Sequence, residues 1–450
     1  MITSINPYTG EQIAKFKELS KSEINKKLKN ANKAYQDWKA TPYEHKADLM
    51  KKLAKVLEKN KQTYAETIVQ EMGKPISQAV AEIEKCAWVC NYYAENAKVH
   101  LKREMIKTDA KKSYVSYEPI GVVLAVMPWN YPFWQVFRFA APALMAGNIG
   151  VLKHASNVMQ SAENIQQAFL EAGFPEACFQ NLIVKSKKVE FIIRNKYVKA
   201  VTLTGSKPAG SAVASIAAEE IKKSVLELGG SNALVVFEDA NIDKTVATCV
   251  QARFQNTGQS CIAGKRLLVH ESIFEVFMEK FITKTRELKS GDPMEKDTYI
   301  GVLARKDLAK TLEEQLKLSV EKGAKIVLGG KRRKAYFDPT IVINVSKKMP
   351  VFKEETFGPL MAVMHFKTDM EALDLVNKSD FGLGVSIFTE DMERAKALVP
   401  NFEDGAVFVN ELVKSDPRLP FGGTKISGYG RELSEHGIRE FVNKKTVFFK

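Results

Sequence analysis

Cysteine is scarce in this chain: five residues in 450, namely Cys86, Cys90, Cys178, Cys249 and Cys261. An odd, dispersed set is no disulfide framework and fits a reducing compartment. Histidine is scarce too, and the six residues are isolated from one another. No Cys or His pair meets a second pair at metal-ligand spacing. That argues against a zinc site and leaves Cys86 and Cys90, one helical turn apart, as packed thiols. Repeats and low-complexity linkers are missing, so the domains should interlock tightly. A spanning helix needs about 20 predominantly apolar residues. The longest stretch without a charge, Pro119 to Phe137, is broken by Pro128, Asn130 and Pro132. It reads as a buried strand, a turn and a helix start. The first ten residues carry neither a basic segment nor an apolar one that would direct export. The expectation is a soluble, cytoplasmic protein with no membrane partner.

What is present is ordinary globular composition, 45% hydrophobic and 27% charged, in a length that suggests about three domain-sized units. Lys plus Arg outnumber Asp plus Glu by 67 to 53, a net charge of +14. A nucleic-acid binder concentrates such charge on one element. Here the lysines are spread along the chain, and the densest cluster, Lys331 to Lys334, simply follows Gly329-Gly330. This is the pattern of a solvated basic surface.

The first hundred residues read as helices. Ser22 is placed to cap the first, and Gly73 and Pro75 stop the third. A longer helix follows from Gln78 to Lys98. From 120 to about 250, short apolar runs alternate with helical segments. The runs are Val122–Val126, Ile149–Leu152, Gln180–Val184, Ala200–Leu203 and Ala233–Val236. A second alternation fills 260 to 410, and Thr446–Phe449 reads as a last strand. The fold class is therefore α/β, with parallel sheets that place ligands at the carboxyl ends of their strands.

Four local patterns could carry chemistry. Thr204-Gly205-Ser206 closes a strand and opens a helix, where free N–H groups and the helix dipole suit a phosphate. It is not the Gly-x-Gly-x-x-Gly fingerprint, which is missing from the early strands, and a plain turn fits equally well. Cys261 is flanked by small and polar residues, as a nucleophile is, although a lone cysteine is more often a packed thiol. Glu227 sits between two leucines at the end of an apolar strand. Desolvation there raises a carboxyl pKa and can poise a general base, or the group can be an ion-paired edge Glu. Asn130 follows the first strand, where its amide can donate to a developing oxyanion or merely shape a turn.

Together these residues resemble the NAD(P)-dependent aldehyde dehydrogenases, from near residue 5 to near 448. The segments that carry the likeness are Pro128-Trp-Asn-Tyr-Pro132, Leu152-Lys-His-Ala155, Thr204-Gly-Ser206, Leu226-Glu-Leu-Gly-Gly230 and Gly258-Gln-Ser-Cys261. Further on come Glu354-Glu-Thr-Phe-Gly-Pro359, Pro420-Phe-Gly-Gly423 and Ser427-Gly-Tyr-Gly-Arg431. Among subfamilies the chain is most similar to the short bacterial succinate-semialdehyde dehydrogenases, on Asn6 to Gly10, Trp134 to Arg138 and Lys153 to Asn157.

The resemblance implies an aldehyde dehydrogenase-like architecture. A Rossmann-type cofactor domain would span 1–103 and 119–228, an α/β catalytic domain 229–431, and a β oligomerisation arm 104–118 with 432–450. The arm's hairpin would pair with the C-terminal strand and so avoid a lone exposed edge. Cys261 aligns with the thiol that adds to the aldehyde and passes through a thiohemiacetal and a thioester. Asn130 aligns with the oxyanion donor, together with the Cys261 N–H. Glu227 aligns with the base that activates the hydrolytic water, which favours a free acid as product. Lys153 and Glu355 match residues that hold the two riboses. Gly205 and Ser206 match the pyrophosphate turn, and Trp129, Leu228 and Phe357 would line the cleft. At Ser156, NAD-preferring members often carry Glu, so NADP, or both NADP and NAD, is expected. His154 replaces a usual Pro, which should be a modest backbone change.

Arg138, Ser415 and Gln255 are the candidate substrate contacts. A charged Arg138 in an otherwise apolar segment needs a partner, either an anionic substrate or an internal carboxylate. Gln255 stands where related enzymes have a second carboxylate-binding Arg. The implied reaction is oxidation of succinate semialdehyde to succinate, the alternative being another or broader aliphatic aldehyde specificity. A homo-oligomer, dimer or tetramer, is expected.

Overall fold

The computed structural model describes all 450 residues. Two parallel-rich sheets form its frame. The first has six strands in the spatial order Gly428–Tyr429, Lys223–Glu227, Val198–Thr204, Val122–Met127, Ile149–His154 and Phe179–Asn181. All its pairs are parallel except that of Gly428–Tyr429. The second has seven, in the order Lys325–Leu328, Thr340–Ile343, Leu360–Phe366, Gly264–His270, Asn232–Val236, Val385–Phe388 and Val407–Val409. Both are built from Val, Leu, Ile and Ala runs buried on both faces, as crossover-covered parallel strands must be.

Helices Lys21–Ala40, Tyr43–Lys59, Lys61–Met72 and Ile76–His100 pack with the first sheet into one large core. Phe133, Phe137, Phe169 and Phe179 stack in series across it, the last pair with centroids 4.4 Å apart. The Trp38 indole N–H donates to the Leu144 carbonyl at 3.0 Å, so burial costs it no hydrogen bond. No helix is long and apolar enough to cross a membrane.

Three expectations need correction. Ser20, not Ser22, caps the first helix: its hydroxyl accepts from Glu23 N–H while the Glu23 carboxylate accepts from Ser20 N–H. This capping box lies two residues upstream of the serine that periodicity suggested. The Ala233–Val236 run belongs to the second sheet, parallel to Gly264–His270 and Val385–Phe388. The chain crosses between sheets at Gly229-Gly230, which no hydrophobic pattern marks. The C-terminal strand, Val442–Phe449, pairs along its whole length with Lys112–Pro119, and the Glu104–Met105 strand covers the other side. That pairing does not remove the edge. The C-terminal strand is itself the edge, with Phe448 and Phe449 exposed. A hairpin of Ile2–Ile5 with Gln12–Phe16 had no clear sequence signal.

One buried ion pair anchors the helix that faces the site. Glu82, in Ile76–His100, accepts from the backbone N–H groups of Phe133 and Trp134 at 2.9 and 3.0 Å. It thereby satisfies the N-terminus of helix Trp134–Met145. Its other oxygen pairs with Lys74, whose ammonium lies 3.7 Å from the centroid of the Tyr131 ring. Lys74 and Glu82 are both buried, and removing one partner of such a pair strands the other charge. Glu82→Ala should therefore cost about 3–5 kcal/mol, read as a lowered thermal-denaturation midpoint. Adding Lys74→Met should recover part of the loss. An unchanged midpoint in Glu82→Ala would contradict this pairing.

Candidate active site

Two cavities meet at Cys261. The larger, about 400 Å³, is a cleft at the carboxyl ends of the first sheet's strands. Its wall includes Trp129, Asn130, Gly205, Ser206, Leu228, Cys261, Glu355 and Phe357. It opens where neighbouring strands Val122–Met127 and Val198–Thr204 send their connections to opposite sides, which is where such sheets take ligands. Ser206 is the N-cap of helix Lys207–Glu219 and makes no side-chain cap bond, so the first N–H groups face outward unsatisfied. Gly210 lets that helix pack down, since a Cβ there would stand 2.7 Å from Leu228. Trp129 and Phe357 meet edge to face at 5.7 Å.

Lys153 and Ser156 lie on the same sheet edge, at and just beyond the end of strand Ile149–His154, outside the cleft's immediate wall. Lys153 is buried yet has no hydrogen bond and no ion pair, and burial pushes it down to about 8. An ammonium without a protein partner, on a buried side chain at a strand's carboxyl end, is an observation in favour of a polar ligand there. Ser156 is exposed. His154 does more than replace a proline: Nε2 donates to the Pro132 carbonyl at 2.9 Å, and Nδ1 accepts from Ala155 N–H at 2.9 Å. The ring holds the turn that carries Trp129 and Asn130, and burial, its main cause, pushes His154 down to about 4.

The thiol sits at the end of a strained loop. Asn256, Thr257 and Gly258 all have positive φ, at 55°, 53° and 71°. A β-branched residue there is a genuine outlier, held by its surroundings. Thr257 Oγ accepts from Gly301 N–H at 3.0 Å, and Gln259 Oε1 accepts from Ala304 N–H at 2.9 Å. The Asn256 amide donates to the Asn130 carbonyl at 2.8 Å, tying the Cys261 loop to the Asn130 turn. The Asn130 amide donates to the Gln259 carbonyl at 3.2 Å, which leaves its second hydrogen free. The Cys261 backbone N–H has no acceptor in the protein.

Lys265, which the sequence reading missed, is buried and donates to the Ser260 and Cys261 carbonyls at 2.8 and 2.7 Å. It stands 3.5 Å from Glu355, whose carboxylate also accepts from Gly230 N–H at 3.0 Å. Arg305, in the cleft wall, was missed as well.

The smaller cavity, about 180 Å³, lies on the other side of Cys261. Arg138, Gln255 and Ser415, the three expected substrate contacts, all line it, with Trp134 and Phe421. Arg138 also satisfies the internal alternative: Nε pairs with Glu432, and its guanidinium lies 4.5 Å from the Phe421 ring centroid.

Glu227 lines neither cavity, although its neighbours Leu228 and Gly229 line the cleft. Its carboxyl is buried and neither oxygen has a hydrogen-bond partner. A Cβ on Gly422 would stand 2.6 Å from Glu227 Oε1, so glycine leaves room for it. Burial first and Glu432 second push Glu227 well above the carboxylate range, and Arg138 pulls it partly back. Burial therefore favours its protonated form in this position.

Cys261 is partly buried, whereas the other four cysteines are fully buried. Burial of the sulfur pushes its pKa up to about 11, against the pull of Arg138 and Lys265. The thiol form prevails at neutral pH, and the thiolate fraction climbs as pH approaches that value. Iodoacetamide should label this one cysteine in the free protein, at a rate rising about tenfold per pH unit between 7 and 10. Mass spectrometry after timed quenching measures it. A rate that levels off by pH 8 would contradict the desolvated thiol.

Comparison with known proteins agrees over the full length. The aldehyde dehydrogenase family model matches residues 1–447. A probable succinate-semialdehyde dehydrogenase [NADP(+)] of Synechocystis sp. is 46% identical over 450 residues, 99% of each chain. Succinate-semialdehyde dehydrogenase [NADP(+)] 1 of Mycobacterium bovis is 44% identical over 453 residues, again 99% of each. Among solved structures, the succinic semialdehyde dehydrogenase of Streptococcus pyogenes, crystallised with NADP+ as the cofactor, superposes with a TM-score of 0.97 at 34% identity and covers 100% of both chains. With this fold, this thiol loop and this full-length match, the chain belongs to the aldehyde dehydrogenase family.

Proposed function

We propose that this protein oxidises succinate semialdehyde to succinate with NADP, through covalent catalysis by Cys261. The observation that carries the reading is the position of Cys261 between two cavities. One is small with a cationic and polar wall, and the other lies at the carboxyl edge of a parallel sheet. The relatives named as NADP-dependent succinate-semialdehyde dehydrogenases support it.

The residues of the cleft fit a dinucleotide. Lys153 and Glu355 would hold its two riboses, and the outward N–H of Ser206 with those of the helix start behind it its pyrophosphate, while Gly205, whose own N–H donates to the Glu227 carbonyl at 2.9 Å, shapes the turn. Trp129, Leu228 and Phe357 would flank it. Ser156 leaves room for a 2′-phosphate that a Glu would repel by about 4 kcal/mol at contact distance and an effective dielectric of 20. A bound nicotinamide supplies the hydride acceptor. The protein's own part is nucleophilic and electrostatic. The Cys261 thiol gives up its proton to solvent, and the thiolate sulfur adds to the aldehyde carbon. The free hydrogen of the Asn130 amide and the Cys261 N–H receive the developing oxyanion. Glu227 leaves its buried position, where no hydrogen bond pins it, ionises on meeting water, and takes a proton from the water that attacks the thioester. Arg138, Ser415 and Gln255 orient the distal carboxylate.

The three parts expected for the chain follow the same reading: cofactor domain, catalytic domain, and an arm formed by 104–118 with 432–450. The exposed edge of the C-terminal strand supports assembly into a homo-oligomer, and the free thiols support a cytoplasmic location.

With NADP, kcat/KM should be higher for succinate semialdehyde than for butyraldehyde, which is similar in length but uncharged. NADP should serve at least as well as NAD. Arg138→Ala should narrow the preference between the two aldehydes by about tenfold or more. A preference for butyraldehyde, or an enzyme inactive with NADP, would refute this reading.

A further inference from the structure

The far wall of the small cavity holds a cation that neither motif nor alignment singled out. Lys85 lies one turn after Glu82 in helix Ile76–His100 and lines the cavity beside Trp134 and Ser415. Its ammonium sits 2.9 Å from Ser415 Oγ and 4.3 Å from the centroid of the Trp134 ring. It has no carboxylate within ion-pair distance, although the other charged groups in and beside the wall are engaged, Lys414 with Glu411 at 2.8 Å. Arg138 is paired with Glu432. Glu82 is committed to Lys74 and to two backbone N–H groups. Asp416, next to Ser415, is turned to Arg418 at 2.7 Å.

Ser415 completes the picture. Its oxygen receives the Lys85 ammonium at 2.9 Å and the Trp134 indole N–H at 3.0 Å. Both donors are obligatory, because neither group can accept a hydrogen bond. The two lone pairs of Ser415 Oγ are thus occupied, and its hydroxyl proton is left to donate. The ammonium has two further N–H bonds to give. Gln255 in the same wall offers an uncharged amide that makes no bond within the protein. The cavity end therefore presents donors and one unpaired positive charge, and no carboxylate in it is free to compete with an anion.

We propose that Lys85 determines specificity by taking the distal carboxylate of the substrate, with the Ser415 hydroxyl as a second donor. It supplies the charge that Arg138, already paired with Glu432, does not bring in full. The inference rests on the substrate class proposed above and names the group that reads it. It also accounts for Gln255: a second arginine is dispensable where a lysine enters from the opposite helix.

Burial lowers Lys85 to about 8, with Arg138 adding to the effect. Glu82, Asp416 and the neutral Cys86 are the other titratable groups that face it. The guanidinium of Arg138 does not titrate in this range. In the free enzyme the ammonium is present below that value and lost above it. The test compares kcat/KM for succinate semialdehyde with that for butyraldehyde on the same preparation, from pH 6.5 to 9.5. The ratio cancels both the folded fraction and the titration of Cys261. In the wild type it should fall as pH rises through about 8. Lys85→Met should lower the ratio at pH 7 about tenfold to a hundredfold and abolish its pH dependence. Lys85→Arg should keep most of the preference at pH 7 and flatten its decline. A Lys85→Met ratio within twofold of wild type, while Arg138→Ala still lowers it, would overturn the role of Lys85 alone. A wild type with no preference for the charged aldehyde would overturn this inference and the substrate reading together.

Discussion

Everything in the site depends on how closely two loops approach at Gly229-Gly230. A Cβ on Gly230 would stand 2.6 Å from the Cys261 carbonyl oxygen, and one on Gly229 would collide with the Glu355 carboxylate. The chain has just left the first sheet at Glu227 and enters the second at Asn232. Two backbones without side chains can touch here, and that contact brings a thiol on the second sheet's loop against the carboxyl edge of the first. Lys265 fastens the junction from beneath, holding the Ser260 and Cys261 carbonyls and Glu355 together. The positive φ run of Asn256 to Gly258 is a cost borne for that placement. Gly258 cannot be replaced cheaply, because a Cβ would run into the Gly358 backbone.

Buried charge is the second theme. Lys74, Arg138, Lys153, Arg253 and Lys265 are all buried, and they are dealt with in different ways. Lys74 and Arg138 are neutralised by Glu82 and Glu432. Arg253 gives hydrogen bonds to the carbonyls of Thr356 and Gly358, stiffening the segment that carries Phe357. Lys153 is left without a partner. The distinction matters because a paired charge is structural by default, whereas an unpaired one at a cavity implies something to pair with.

Much of this was legible in the sequence because the frame is built from unambiguous patterns. Apolar runs such as Val122 to Val126 and Ala200 to Leu203 mark strands buried on both faces, and the alternation with helices fixes a parallel sheet. Cys261, Asn130 and the cleft residues were legible through motifs whose glycines and turns have a steric reason. Other features were not legible. Ala233 to Val236 looked like a continuation of the first sheet, since nothing in a hydrophobic run says which sheet it joins. The buried pairing of Arg138 with Glu432, 294 positions further on, is tertiary and leaves no local trace. Lys85 and Lys265 were lost among many lysines, because residue type alone does not separate a solvated ammonium from a buried one. Glu227 aligns with a base for the hydrolytic water, but it rests behind the cleft wall, and no local pattern distinguishes the two positions.

That resting position makes the division of labour between Cys261 and Glu227 the central claim: one side chain forms the acyl-enzyme, the other releases it. Rapid mixing of Glu227→Gln with NADP and succinate semialdehyde, followed by the absorbance of reduced cofactor, addresses it directly. The account predicts a burst approaching one equivalent per active site and then a steady-state rate far below that of the wild type. Full steady-state turnover in this variant, or the absence of any burst alongside lost turnover, would contradict it.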